Sequence, residues 1–290
     1  MEIHLASMEN ITCWAFRSLM QGVSDSYTGM ISMGYLIERH KAWKEVDMYP
    51  ISSQRQWLQV LTSRENECKK FLERINEKLS EEPEKDNCYG IQLNCSCPSP
   101  MITGIGQGSA LVKRPLKVYN LVSELLKQDK FKVSLKTRLG LNPLEIKEGR
   151  IFKLLEELEK IKDPNFTEVV VHFRHAKERS DSPYDYSPLK EILDFNIPIV
   201  INGGINCYRD YNNIVKNIPK RKNIKGIMIG REALKNPDCF VEVSNMLNCT
   251  LFKNRNLEEI NKDFRKLCEE HVPRDIYLKR IADSCSWYME

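Results

Sequence analysis

The feature that most constrains this chain is the repetition of one unit, a short β-rich run followed by a longer amphipathic stretch, eight times within about the first 235 residues. The runs are Ile3 to Met8, Tyr27 to Ile31, Gln56 to Thr62, Tyr89 to Asn94, Lys132 to Thr137, Glu168 to Phe173, Ile197 to Ile201 and Gly226 to Ile229. Several are continuously apolar, as strands covered on both faces must be. Between them lie helical stretches such as Glu65 to Leu79, Leu116 to Gln128, Glu148 to Ile161 and Tyr208 to Ile218. In the third, Ile151, Leu154, Leu155, Leu158 and Ile161 recur at three and four and form one stripe. Parallel strands need crossovers, and right-handed crossovers curl a sheet one way, so the pattern predicts a closed (β/α)8 barrel of the α/β class. An open doubly wound sheet is the alternative topology.

After Asn248 the pattern changes to charged helical segments, Leu257 to His271 and Arg274 to Trp287, with Pro273 between them. This divides the chain into a barrel over 1–245 and a short C-terminal helical extension over 246–290. A content of 41% hydrophobic and 29% charged residues is that of a soluble globular protein, and no apolar run approaches the roughly 18 residues of a membrane span. The start lacks a basic segment followed by an apolar one, so no secretory signal and a cytoplasmic address are expected. The ten cysteines are scattered, and the close pair Cys95 and Cys97 has no second pair to answer it. Reduced thiols, and neither zinc nor disulfides, are the reading. A formal charge of +4 permits nucleic acid as a partner without arguing for it.

Barrels of this kind build their sites at the carboxyl ends of the strands. The fourth run ends in Asn94-Cys95-Ser96-Cys97-Pro98 and leads into a glycine-spaced loop, Gly104 to Gly108, where a thiol on a mobile loop is placed to give or take a proton. The fifth ends in Lys136-Thr137-Arg138 and the sixth in His172-Phe173-Arg174, so each puts two basic groups on one face. Converging there, they suit a phosphate or an electron-rich ring; taken singly, each also reads as a solvated charge or a satisfied core histidine. The seventh ends in Asn202-Gly203-Gly204 and the eighth in Gly230-Arg231. Two glycine turns at these positions, with an arginine for charge-assisted bonds, suit the phosphate of a cofactor.

Together these segments resemble the tRNA-dihydrouridine synthase family, in order from about Leu5 to Phe240. The segments carrying the likeness are LASMENITCWAFR, LQVLTS, IQLNCSCPSP with GQGSALVKRP, VSLKTRLG, VVVHFRHAKERSD, PIVINGGI and GIMIGREALKNP. The resemblance implies an FMN at the barrel mouth, reduced by NADPH, and tRNA as substrate. It implies Cys97 as proton donor and Asn94 near the uracil, with Ser7, Met8 and Glu9 along the flavin and Gln59 as a ring hydrogen-bond partner. It further implies Lys136 and His172 as ring ligands, Arg138 and Arg174 as accessory basic residues toward substrate, and Asn202, Gly203, Gly204, Gly230 and Arg231 as the phosphate grip. A monomer without a metal or a membrane anchor completes the expectation, with the helical extension as a tRNA-binding element.

Four positions depart from the family pattern. Ser7 replaces a usual proline and Ser96 a glycine, Gly29 stands where an acidic residue is common, and Phe173 stands where glycine is frequent. The extension is also shorter than the family's usual helical domain. Two other functions remain open on the sequence: a flavin barrel acting on a free small molecule such as a pyrimidine, and a barrel that binds RNA without catalysis.

Overall fold

Eight parallel strands close on themselves: β1 (Glu2–Leu5), β2 (Asp25–Tyr27), β3 (Arg55–Leu61), β4 (Cys88–Cys95), β5 (Lys132–Gly140), β6 (Phe166–His175), β7 (Ile199–Asn202) and β8 (Ile224–Ile229). Each pairs with the next, β8 pairs with β1, and β2 with β3 completes the ring. A two-residue run, Ile31–Ser32, adds to the upper end of β3. This computed structural model describes residues 1–219 and 221–288.

The crossovers and the extension contain α1 (Trp14–Leu19), α2 (Met33–Glu38), α3 (Glu65–Glu81), α4 (Pro100–Gly104), α5 (Pro115–Leu125), α6 (Pro143–Lys147), α7 (Arg150–Glu159), α8 (Leu189–Ile192), α9 (Tyr208–Val215), α10 (Cys239–Asn248), α11 (Leu257–Glu270) and α12 (Asp275–Ser284). The stripe read in α7 is buried at Ile151, Leu154, Leu155 and Leu158. In α3 the buried apolar stripe is Cys68, Phe71, Leu72, Ile75 and Leu79. Pro115 opens α5 at a position where its missing N–H costs nothing, and Asn256 with Glu259 forms a reciprocal cap on α11.

All eight runs are strands, with shifted ends. The second is displaced most, running from Asp25 to Tyr27 where Tyr27 to Ile31 was expected. Ser24-Asp25-Ser26 has the composition of a turn, yet Asp25 lies inside the barrel, where the Arg55 guanidinium grips both its oxygens at 2.6 and 2.9 Å and the Trp57 indole N–H donates to it at 2.8 Å.

Side chains of alternate residues fill the lumen in three zones. At the amino end of the strands a charged ring forms from Glu2, His4, Asp25, Arg55, Glu168 and Lys225. Above it is an apolar plug of Ala6, Tyr27, Trp57, Val170, Val200 and Met228. Trp57 needs Gly90 opposite, because a Cβ there would lie 2.4 Å from its ring. The upper zone is polar again and forms the site. The outer faces of the strands and the helices share one apolar core, and the extension belongs to it: Phe264, Ile281 and Trp287 are fully buried.

Candidate active site

A cavity of about 550 Å³ opens at the carboxyl ends of the strands. Its wall brings together eleven of the residues singled out in the sequence: Ser7 and Met8 after β1, Lys136 and Arg138 on β5, His172 and Arg174 on β6, Asn202, Gly203 and Gly204 at the end of β7, and Gly230 and Arg231 after β8. The register explains the convergence, since Asn94 pairs with Lys136, Arg138 with His172, and His172 with Asn202. Alternation along each strand then points all of them inward.

The electrostatics of this cup are one-sided. Lys136, Arg138, Arg174, Arg231 and Lys235 face it against Asp181 and Glu232. Lys136 is buried, and its amine donates to Asn202 Oδ1 at 2.9 Å and more weakly to Ser96 Oγ at 3.4 Å, both neutral. Burial first, and then the Arg138 charge, bring this amine down to about 7. His172 is pushed well below its ordinary value by burial and by the surrounding cations, so its imidazole is neutral at physiological pH. Its buried Nδ1 has no hydrogen-bond partner among the described residues.

The thiol loop is close by but closed. Cys97, read from the sequence as a thiol on a mobile loop, is only 8% exposed. The physical reason is a double clamp. Asn94 Oδ1 accepts from the amides of Ser96 and Cys97 at 2.9 and 2.8 Å, and the Cys97 carbonyl accepts from the Ser109 amide and hydroxyl, both at 3.0 Å. Gly108, in the left-handed region at φ +57, lets this fold-back happen, because a Cβ there would lie 2.7 Å from the Cys97 carbonyl. The loop touches the cation cluster through Ser96, whose carbonyl accepts from Arg138 Nε at 2.7 Å. Burial pushes the Cys97 thiol up, so it stays protonated at neutral pH.

Cys97, Asn94, Gln59 and Glu9 are not part of the cavity wall. Gln59 is buried in a polar chain that accepts from Asn94 at 2.7 Å, donates to Gln92 at 2.7 Å and continues to Ser134 at 3.0 Å. Glu9 is exposed on the turn after β1. Arg174 reaches the cavity edge, but its guanidinium donates to the carbonyls of Ser180 at 2.8 Å and Ser182 and lies 3.7 Å from the centre of the Tyr184 ring. Of the segment it ties down, Ser180 and Asp181 close the run VVVHFRHAKERSD that carries the family likeness, whereas Ser182 to Tyr186 was not singled out in the sequence and reads as an ordinary solvated loop.

The donor set fits a phosphorylated, electron-rich cofactor such as FMN. Among the described residues Lys136 has no carboxylate partner and His172 keeps a free buried nitrogen, and the two glycine turns stand side by side with Arg231. A metal fits less well. The ligand atoms of Glu2, His4 and Asp25 lie within 4.8 Å of one another at the opposite end of the barrel, but Arg55 and Lys225 already neutralise that ring. Among the described residues all ten cysteines are free thiols.

Comparison with known proteins bears on the family. A family model described as "Dihydrouridine synthase (Dus)" matches residues 4–290. Over 159 residues the chain is 31% identical to the tRNA-dihydrouridine(20) synthase [NAD(P)+] of Schizosaccharomyces pombe, covering 52% of this chain and 31% of that protein. It is 29% identical over 155 residues to the tRNA-dihydrouridine(16) synthase of Haemophilus influenzae, covering 52% of this chain and 46% of that protein. A probable tRNA-dihydrouridine synthase of Helicobacter pylori is 28% identical over 251 residues, 84% of this chain and 70% of that one. The chain thus spans half or less of the length of the first two relatives. Among solved structures, morphinone reductase superposes with a TM-score of 0.55 at 8% identity, covering 89% of this chain and 88% of that one, a likeness of fold.

Proposed function

The chain belongs to the dihydrouridine synthase family, and from that premise we propose that it reduces the C5–C6 double bond of uridine in tRNA, with FMN as cofactor and NADPH as reductant. A bound flavin supplies the hydride that adds to C6 of the uracil. Everything else falls to the chain's own residues.

The observation that carries the proposal is the joining of the thiol loop to the cation cluster through Ser96, beside a cavity with a surplus of positive charge. Lys136 and His172 would hold the flavin ring, with Ser7, Met8 and Glu9 along it and Gln59 toward it. Asn202, Gly203, Gly204, Gly230 and Arg231 would hold its phosphate. When hydride adds at C6, negative charge develops on C5 and O4. The Cys97 thiol, kept protonated by burial, donates its proton to C5 and is left as a thiolate that solvent reprotonates. Asn94 fixes the thiol by holding the Cys97 amide, and Arg138 and Arg174 complete the basic face presented to the substrate. A uracil stacked in a duplex cannot reach this cup, so the target nucleotide must be turned out of its stack to enter. Residues 1–245 would carry the flavin and the chemistry, and residues 246–290 would add an RNA contact.

Two measurements test this. Purified protein supplied with NADPH should raise the dihydrouridine content of unmodified tRNA; reduction of free pyrimidines with tRNA untouched would assign the chain to small-molecule chemistry instead. A protein that takes up no flavin and still binds tRNA would mark a non-catalytic RNA-binding barrel. The variant Cys97→Ala should keep FMN and its absorbance while turnover falls by about 100-fold or more, the usual contribution of a positioned acid. Full activity in that variant would remove the acid role.

A further inference from the structure

Gly203 and Gly204 both lie in the left-handed region, at φ +102 and +69, and both are covered by the loop after β6. A Cβ on Gly203 would lie 2.4 Å from the Tyr184 ring, and one on Gly204 would lie 2.7 Å from the same ring and 2.5 Å from the Tyr186 hydroxyl. The two glycines therefore serve as a seat. Tyr186 fixes it by donating from its hydroxyl to the Gly203 carbonyl at 2.5 Å. Above the seat, the Tyr184 ring is pinned by the Arg174 guanidinium at 3.7 Å and meets the His172 ring edge-on at 5.6 Å. Its hydroxyl reaches across to the other turn, 3.3 Å from Arg231 Nη2.

We propose that Tyr184 is part of the anion grip: seated on the turn after β7 and reaching the arginine after β8, its hydroxyl donates to the phosphate that Arg231 draws in. The inference rests on the FMN reading above and adds a residue to it. An anion arriving at Arg231 finds a phenolic O–H beside the guanidinium, where at present the hydroxyl accepts from Arg231. That O–H is free to turn and donate, because a hydroxyl accepts and donates at once. Ring and hydroxyl thus have separate tasks, the first holding the loop to the turn and the second choosing the ligand.

The separation makes the test selective. Flavin-stripped protein is titrated with FMN and with riboflavin, followed by flavin fluorescence, for the wild type and for Tyr184→Phe. Removing the hydroxyl should weaken FMN by about tenfold or more, the size of one hydrogen bond to a charged group, and leave riboflavin unchanged. Inorganic phosphate competing with FMN should weaken by the same factor. Unaltered riboflavin binding shows at the same time that the loop is still folded. Equal FMN affinity in the two proteins would overturn the inference, and so would an equal loss for FMN and riboflavin, which would put the tyrosine against the ring. A wild type that binds neither flavin would remove the cofactor reading and this inference with it, a result distinct from either of those.

Discussion

A buried amine whose partners are a neutral amide and a hydroxyl holds its proton less firmly than one at the surface, and Lys136 is such an amine. Burial and Arg138 bring it to about 7, so near neutrality its charge depends on what is beside it. Below pH 7 the amine is charged whether or not a negative ring is present, and its attraction to that ring is complete. Above pH 7 it must first take up a proton, and the attraction is offset by that cost. Lys136→Met should therefore lower the reduction potential of bound flavin by about 30 mV or more at pH 6, which for two electrons corresponds to ~1.4 kcal/mol. The gap between variant and wild type should narrow as the pH rises from 7 to 9. A potential titrated across that range checks both the size and the slope, and a gap that widens with pH would contradict the assignment.

Single strands carry a second kind of constraint, visible in the ring that floors the barrel. Asp25 on β2 is fully buried and depends on Arg55 of β3 for its charge partner. Burial alone would raise the Glu2 carboxyl, yet the His4 hydrogen bond and Arg55 hold it down to about 2. Arg55→Ala strips the buried Asp25 of its guanidinium partner, leaving it the Trp57 and Ser24 hydrogen bonds and His4 at 3.7 Å, and should cost about 3 kcal/mol in a urea unfolding experiment at pH 7, at the low end for broken buried pairs because Arg55 is one-third exposed. Glu2 has a folded value below its ordinary one, so its share is complete above about pH 4.5 and disappears as the pH falls toward 2. The gap between the variant and the wild type should accordingly narrow in acid by the share that Glu2 carries.

The same floor shows what the sequence can disclose about elements. Strands such as β7 and the Gly226–Ile229 part of β8 were legible because parallel strands covered on both faces read as unbroken apolar runs. The second strand was legible only in part, since its inward residues are an aspartate and a tyrosine, and the aspartate's partners come from β3, about thirty positions away. Lys136, His172 and the glycine turns could be found because strand ends in a barrel point to one place. The enclosure of Cys97 could not, because it depends on Ser109 folding back, and Tyr184 could not, because nothing in a polar loop announces the surface on which it will rest.

At the scale of the molecule the extension is structural as well as available for contact. Trp287 is fully buried beside Phe264, with ring centres 5.3 Å apart, and its indole N–H donates to the Ala233 carbonyl at 3.2 Å, just past the turn that ends in Arg231. Arg255 links the extension to Asp238 and to the Leu19 carbonyl of α1. Trp287→Ala should lower stability by about 3–5 kcal/mol through the cavity left behind. Loss of cooperative unfolding across barrel and extension together, seen by intrinsic fluorescence and circular dichroism, would be the sign; two separate transitions in the wild type would argue against one shared core.

Among the described residues the apolar plug and the charged ring beneath it close the floor of the barrel, so that the cavity is a cup open at the carboxyl ends of the strands. On the proposed chemistry, the nicotinamide that delivers electrons and the nucleotide that receives them must queue for the same entrance, each leaving before the other arrives. Alternation of visitors thus follows from the closed floor.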